Sequence, residues 1–360
     1  MSAIAQFDVL IVYSHSLARS ASSGQSALTP FSLSSVNSGY NHVYGYFLKV
    51  CRQLNLKAAF TTSADIVGPG TCANFWTFEN NIWSKFNFPC YSALIFDKFS
   101  PKPKRITSRQ LLFSQSHIKP FCSPFLFELF FDKQKTFNLL SAHSIPSVSL
   151  LGNTQKDLQD ACLLLDQIIT THPKASDFTT QIILKDRYGA GGRHVYKVNG
   201  FDHQKMLSIV RRHSRISFMI QPFVRFEQGF THNSVSSSVD IRFIFLGIKI
   251  VQSYIRVALP GEFRCNEHQG GELVYLPLKK LPLTLVTLAQ SIALDLNQSH
   301  SLFALDFMVS NNGNAYLIEG NTGPGLDWNQ TSSRNEIEAK KLIRLIVHQL
   351  SSQIQPSLSC

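Results

Sequence analysis

Phe303 to Leu326 reads FALDFMVSNNGNAYLIEGNTGPGL: two apolar runs around a tight polar turn, with three oxygen-bearing side chains of the kind that hold metal ions. Asn312-Gly313 is a strong hairpin signal, because both residue types tolerate positive φ in a type I′ turn. With those two as the loop, Asn311 faces Asn314, and counting outward along both strands sets Asp306 opposite Glu319. Alternate residues share a strand face, so Asn321 joins them. Opposed carboxylates repel at the roughly 5 Å between Cβ atoms of a cross-strand pair. Two so placed, with an amide nearby, offer hard oxygen ligands to a cation such as Mg²⁺, which also shares substrate phosphates. A surface hairpin with solvated acids is the plainer alternative.

The chain has 360 residues, enough for a large core or for two to three domains. Hydrophobic residues make up 44% and charged ones 16%, which marks it as globular rather than disordered. A net charge of +11 suits nucleic acid, a membrane surface or small anions, or is simply a solvated basic surface. Seven cysteines are scattered without a CxxC pair, which points to free thiols in a reducing compartment. The apolar runs fall far short of the ~20 residues that span a bilayer. No positive segment precedes Val9-Leu10-Ile11-Val12, so a secretory signal is not expected and a cytoplasmic location is.

Outward from the hairpin, the N-terminal part reads as alternating strands and helices. Phe7 to Tyr13 is a buried strand, Ser14 to Ser38 a long serine-rich mobile loop, Tyr40 to Leu54 a helix, and Lys57–Thr61 and Ser92–Phe96 further strands. Lys98 to Arg109 reads as a basic loop. A second unit starts near Phe125. Asp132 caps a helix from Lys133 to about His143, and Thr154 caps the next, whose apolar face runs from Leu158 to Ile169. Thr180–Lys185 and His194–Val198 are strands around a glycine-rich loop, and Phe201–His213 is a helix. Phe218–Val224 is a strand whose Pro222 suggests its end or an edge. Val239–Leu246 and Ile248–Val257 form a hairpin, Pro260–Gly271 a polar loop, and Leu283–Leu294 and Glu336–Leu350 helices.

Two stretches add chemistry. Tyr188 to Arg193, YGAGGR, follows a strand ending in Lys185. Its glycines let backbone N–H groups approach phosphate oxygens, and Lys185 adds a point charge. It lacks the GxxxxGK[ST] of a P-loop and the following helix of a dinucleotide fingerprint, so an ordinary flexible turn is the alternative. Asp240-Ile241-Arg242 lies on a strand with Arg256 on its partner. Taking Leu246-Gly247 as the turn places Asp240 near Val251 to Ser253. Such a group is either a surface salt-bridge cluster or a set of arginine forks facing phosphates.

Taken in order, Asp132-Lys133, Lys185 with its glycine-rich loop, QPFV at Gln221 to Val224, DIR, GEFRCN…GG and D…E-x-N-x-x-P-G-L resemble the ATP-grasp superfamily. The resemblance is to the branch of glutathione synthetases and RimK-type glutamate ligases, over about residues 130–350. It implies an α/β (α+β) ATP-grasp fold: two α+β subdomains clasping ATP, here 126–215 and 216–350 of a domain spanning 126–350, preceded by a small Rossmann-like α/β domain at 1–125. By the same resemblance Lys133 and Lys185 grip the α- and β-phosphates, and the Gly189, Gly191 and Gly192 loop is a phosphate lid. Gln221, Pro222, Phe223 and Val224 receive adenine, and Glu227 contacts ribose. Arg242 and Arg256 steady the γ-phosphate and intermediate, Arg264 and Asn266 face substrate, and Asp306, Glu319 and Asn321 hold Mg²⁺. The chain departs from the pattern in the polar insertion THNSVSSSV at 231–239, in Gly320 where a hydrophobe is usual, and in the serine-rich loop.

The implied reaction is ATP-dependent carboxylate–amine ligation through an acylphosphate, with positioning and charge neutralisation as the protein's part. The implied cofactors are ATP and one or two Mg²⁺ ions, with Mn²⁺ as a substitute. The implied partners are a small-molecule or peptide carboxylate and an amine acceptor, with no nucleic acid or membrane and with homo-oligomerisation open. The rival readings are a kinase on the same fold and a nucleotide-binding regulatory protein without turnover. A nucleic-acid binder has only the net charge in its favour.

Overall fold

The computed structural model describes residues 4–99, 103–232, 237–326 and 332–354. Residues 1–125 contribute Ala5–Gln6 (β1), Val9–Tyr13 (β2), Tyr40–Gln53 (α1), Ala58–Thr62 (β3), Ile66–Gly68 (β4), Thr71–Cys72 (β5), Phe75–Glu79 (β6), Ile82–Phe86 (β7), Cys90–Tyr91 (β8), Leu94–Lys98 (β9), Pro103–Leu112 (α2) and Lys119–Pro120 (β10). The main sheet runs β10-β9-β2-β3-β6-β7, parallel through β3 and antiparallel beyond it. β2 is buried at every position because it sits inside this sheet with both faces covered, which is why it reads as an unbroken apolar run.

Next come Pro124–Phe131 (α3), Lys133–Leu139 (α4), Val148–Ser149 (β11), Gln155–Thr171 (α5), Phe178–Asp186 (β12), Val195–Val198 (β13), His203–Arg212 (α6) and Phe218–Val224 (β14). Their sheet is antiparallel, in the order β11-β14-β12-β13. α5 begins in a reciprocal capping box between Thr154 and Asp157, and its Leu158, Ala161, Cys162 and Leu165 pack with Met206 and Val210 of α6. The last unit holds Val239–Leu246 (β15), Lys249–Val257 (β16), Glu272–Tyr275 (β17), Leu283–Leu296 (α7), Leu302–Val309 (β18), Ala315–Asn321 (β19) and Ser333–Ile354 (α8), with an antiparallel sheet β17-β16-β15-β18-β19.

Alternation along this last sheet decides where charge goes. Ile241, Phe243 and Phe245 of β15 and Phe303, Leu305 and Phe307 of β18 pack with Leu285, Ala289 and Ile292 of α7. The intervening Asp240, Arg242 and Asp306 therefore lie on the opposite face. α8 covers the outer part of that face. Its Leu342, Ile346 and Leu350 share a core with Ile244, Ala304 and, from the N-terminal sheet and helix, Phe96 and Phe47.

Several expectations need correction. Ser14–Ser38 is not a loose loop: Phe31 is buried and bonded in both directions to Asn41, Ser23 N donates to Asp65, and Lys85 donates to the carbonyls of Ser22 and Gln25. Part of the basic stretch 98–109 is helical, within α2. β14 is an interior strand, and Pro222 is accommodated where the β12–β14 ladder shifts register. The short strands β4 to β8 and β17 carry little periodicity and were not anticipated. Within the insertion at 231–239, residues 233–236 lie outside the described residues, as does Cys360.

The two hairpins of the last sheet bear on the site. In β18–β19 the turn is longer than a type I′ loop: Ser310 closes on Asn314, Gly313 N donates to Ser310 O, and only Gly313 takes a left-handed φ, of 82°. An extra residue, Ile318, bulges from β19 between the Asp306 and Phe307 levels. The bulge offsets the longer loop, so Asp306 does pair with Glu319. In β15–β16 the turn is Gly247-Ile248, and Asp240 pairs with Arg256 rather than with residues 251–253. Gly247 lies against Ser299 O, 2.5 Å from where a Cβ would be, and another bulge near Phe245 adds to the shift.

Candidate functional site

The central and last sheets face one another across a cleft. Its inner end is apolar. Ile183 lies two residues before Lys185 on β12, so both point into the cleft; Met308 stands in the same relation to Asp306 on β18. Ile145, Val195, Phe226 and the bulged Ile318 complete the slot with Phe223 and Phe263. Gln221, Pro222 and Val224 also line it, and Ser147 Oγ donates to the Gln221 side chain at 3.5 Å. Lys197 Nζ sits 4.4 Å from the Phe223 ring centre and 5.0 Å from that of Phe263, a cation–π arrangement that ties the slot's rim together.

The middle of the cleft holds two lysines and one acid. Asp132 caps α4 through the N–H groups of Gln134 and Lys135 and receives both arms of Arg187, at 2.6 and 2.5 Å. Desolvation works against the Asp132 carboxylate, but the Arg187 fork and the cap bonds outweigh it and hold its pKa below the ordinary range. That fork fastens the start of the glycine-rich loop to the first turn of α4. Lys133 Nζ then reaches 3.8 Å from Glu319 Oε2 and donates to Gly189 O. Lys185 is buried, and desolvation, with Lys133 adding to it, lowers its pKa to about 8 although Glu319 acts the other way. Two ammonium groups near one carboxylate leave positive charge that the neighbouring side chains do not neutralise, the kind of site that suits an anion.

The floor is balanced instead. Arg242 donates from Nε to Asp306 Oδ1 at 2.5 Å and from Nη2 to Oδ2. Arg256 forks onto Asp240 at 2.7 and 2.8 Å and shares Nη2 with Asp306 Oδ2 at 2.8 Å. All four side chains are buried. Desolvation opposes ionisation of Asp306, yet the two guanidinium groups keep its pKa below the usual carboxylate range.

Over the opening, two loops meet. Gly191 and Gly192 take φ of 68° and 69°, and a Cβ on Gly192 would stand 2.7 Å from Asn266 Oδ1. Gln269 Nε2 donates to Gly191 O at 3.4 Å. Arg264 Nη2 donates to Glu262 Oε2 at 2.7 Å, which pulls the Glu262 pKa down to about 2. The glycine-rich loop and the 260–271 loop so form a roof that either loop alone would leave open.

The structure thus brings Lys133, Lys185, Gly189, Gly191, Gly192, Gln221, Pro222, Phe223, Val224, Arg256, Arg264, Asn266, Asp306 and Glu319 to one cleft. Arg242, Glu227 and Asn321 are not among its lining residues. Arg242 is turned to Asp306, the Glu227 carboxylate accepts from Phe226 N, and Asn321 Oδ1 accepts from Gly323 N. Among the described residues no cluster of three or more His, Cys, Asp or Glu could cage a metal alone. The cross-strand pair Asp306 and Glu319 is nonetheless a hard-oxygen pair of the kind that suits Mg²⁺ completed by phosphate or water oxygens, with both Asp306 oxygens here accepting from Arg242 and Arg256. Sequence reasoning missed Arg187 and the apolar slot. Ile183 and Met308 were legible from strand alternation with Lys185 and Asp306, whereas Phe226 and Phe263 sit on loops without periodicity.

Comparison with known proteins places this geometry. A "probable alpha-L-glutamate ligase" of Legionella pneumophila (strain Corby) is 26% identical over 200 residues, 54% of this chain and 56% of that protein. The chain therefore spans about half the length of the curated relatives it matches. Among solved structures, D-alanyl-alanine synthetase A of Vibrio cholerae O1 biovar eltor superposes with a TM-score of 0.60 at 13% identity, over 97% of this chain and 99% of that one. The ATP-grasp ligase PsnB, complexed with a precursor variant, Mg and ADP, gives a TM-score of 0.54 at 10% identity, over 97% and 99% of the two chains. At these identities the likeness is one of fold, which is that of the ATP-grasp ligases. A family model, the RimK-like ATP-grasp domain, matches residues 131–346, more than half of the chain, and every cleft residue named above falls inside that span. The chain belongs to the RimK-like ATP-grasp family.

Proposed function

We propose that the protein is an ATP-dependent carboxylate–amine ligase, forming an amide through an acylphosphate. The observation that carries the reading is the uncompensated Lys133–Lys185 pair, set between an apolar slot and the Asp306–Glu319 pair within one cleft. The slot takes adenine, with the β14 backbone at Gln221 to Val224 supplying edge hydrogen bonds, and Glu227 reaches the ribose. Lys133 and Lys185 take the α- and β-phosphates under the lid of Gly189, Gly191 and Gly192. Asp306, Glu319 and Asn321 hold one or two Mg²⁺ ions, for which Mn²⁺ can substitute. When bound, the metal supplies neutralisation of phosphate charge.

The chain's own residues then position and stabilise. Arg256, already between Asp240 and Asp306, turns one arm to the γ-phosphate, with Arg242 behind it. The γ-phosphoryl passes to a substrate carboxylate, releasing ADP. An amine attacks the acyl carbon, and the amide forms as phosphate leaves and the amine loses a proton. Arg264 and Asn266 on the roof orient the substrates, a small-molecule or peptide carboxylate and an amine. Excluding water under the two loops protects the acylphosphate from hydrolysis. No described helix is long and apolar enough to cross a membrane. The described cysteines are all buried and unpaired, which favours a reducing compartment such as the cytoplasm.

Phosphate release measured with Mg·ATP and pooled amino acids tests the reading. Release that depends on the amine supports a ligase. A phosphorylated product formed with no amine requirement makes it a kinase, and nucleotide binding without any turnover makes it a regulatory binder.

A further inference from the structure

Gly320 stands between the two strand residues Glu319 and Asn321. Its α-carbon carries no side chain, but the space is filled. An ideal Cβ there would fall 2.1, 2.2 and 2.5 Å from Cδ1, Cε1 and Cγ of Phe130. Phe130 belongs to α3, is buried, and leans on Phe303 of β18 with ring centres 6.0 Å apart.

The consequence runs along a short chain of rigid links. From Phe130 the backbone reaches the N-cap Asp132 and then Lys133. Thr136 Oγ1 donates to Leu129 O at 2.7 Å, tying the end of α3 to the first turn of α4. Lys133 returns to Glu319, the neighbour of Gly320, at 3.8 Å. The loop of contacts is closed: strand, ring, helix cap, lysine, strand. The seat of the ring on Gly320 and the reach of Lys133 to Glu319 thus lie on one closed path of contacts.

We propose that Phe130 is a positioning residue for the nucleotide site and Gly320 its receptor, a ring-on-glycine key that sets the Lys133–Glu319 spacing. The proposal rests on the nucleotide reading of the cleft. The experiment measures Mg·ADP affinity by calorimetry, well below each variant's melting temperature, alongside thermal melting. The variants are Phe130→Ala, Phe130→Leu, Gly320→Ala and the swap Phe130→Leu/Gly320→Ala. Ile292→Ala, in the α7 part of the same core, is the control for lost packing alone.

Phe130→Ala and Gly320→Ala are expected to weaken Mg·ADP by roughly 10- to 100-fold, the usual loss when an outer support of a metal site is removed. Ile292→Ala lowers the melting temperature while keeping affinity within about twofold of wild type, because Ile292 does not line the cleft. The swap recovers affinity relative to Gly320→Ala, because bulk removed from the ring makes room for the methyl. Should Phe130→Ala fail to fold, Phe130→Leu keeps the core filled and still carries the test, with a smaller loss. Variant affinities equal to wild type, or a swap no better than Gly320→Ala, overturn the key while leaving the nucleotide reading intact. A wild-type protein that does not bind Mg·ADP overturns that reading and the key together.

Discussion

The cleft holds two charged clusters built on opposite plans. On the floor, two arginines meet two aspartates, every fork is matched, and all four side chains are buried. On the wall, two lysines meet one glutamate, and the buried one has a pKa lowered to about 8. A matched cluster has its charges satisfied within the protein, so its members are costly to remove singly. An unmatched one is costly to keep and finds its compensation in a ligand. Burial alone therefore does not tell a charge satisfied within the protein from one left over; the local balance does.

Breaking the matched cluster is expected to have the largest effect. Asp306→Ala strands the buried Arg242 guanidinium and takes one of the two carboxylate partners of Arg256, and should cost about 3–5 kcal/mol of stability. A urea titration measures it, and a midpoint unchanged from wild type would refute the matched-cluster argument. The complementary change on the wall, Lys185→Met, should leave the urea midpoint in place or raise it, because a desolvated charge is removed. Mg·ATP binding should fall by about a hundredfold, near 3 kcal/mol. Equal losses in stability and binding would erase the distinction between the two clusters.

The third test uses pH. The folded state holds the Lys185 proton less tightly than the unfolded chain does, because desolvation and Lys133 lower its pKa to about 8. Lys185 therefore weighs against stability below about pH 8, and that weight fades as pH rises towards its unfolded value near 10.4. A bound phosphate favours the charged form, so nucleotide binding above about pH 8 should take up protons and weaken by at most about tenfold per pH unit. Calorimetry in buffers of different ionisation enthalpy reads the uptake directly; none at pH 9 would mean that Lys185 does not meet the phosphates. The smallest effect is expected on the roof. Gly192→Ala puts a methyl at φ 69° and against Asn266, so KM for ATP should rise several-fold, about 1 kcal/mol, with a loss of global stability of about 1 kcal/mol beside it.

The two hairpins of the last sheet show how far the sequence could be read. Both were read by counting residues out from a turn. For β18–β19 the count set Asp306 against Glu319 although the loop is longer than assumed, because the Ile318 bulge offsets it. For β15–β16 the same method misplaced Asp240, whose true partner is Arg256. Strand alternation was the sturdier guide: it separates Ile241, Phe243 and Phe245 from Asp240 and Arg242 whatever the register.

By itself the sequence determined the longer strands and helices and which face of each is apolar, because period and capping are local. The Asp132 cap, the Thr154 capping box and the extent of Phe218–Val224 are all written within a few residues. It also placed Lys133, Lys185, Asp306 and Glu319 in one family pattern. Only the tertiary structure decided the rest. Bulges and turn lengths depend on what packs against a strand, as Ser299 does on Gly247. The Arg187 fork on Asp132 and the Phe130 ring on Gly320 join residues 55 and 190 positions apart, a separation that no local signal crosses. Whether a buried charge is matched or left over follows from those long-range contacts.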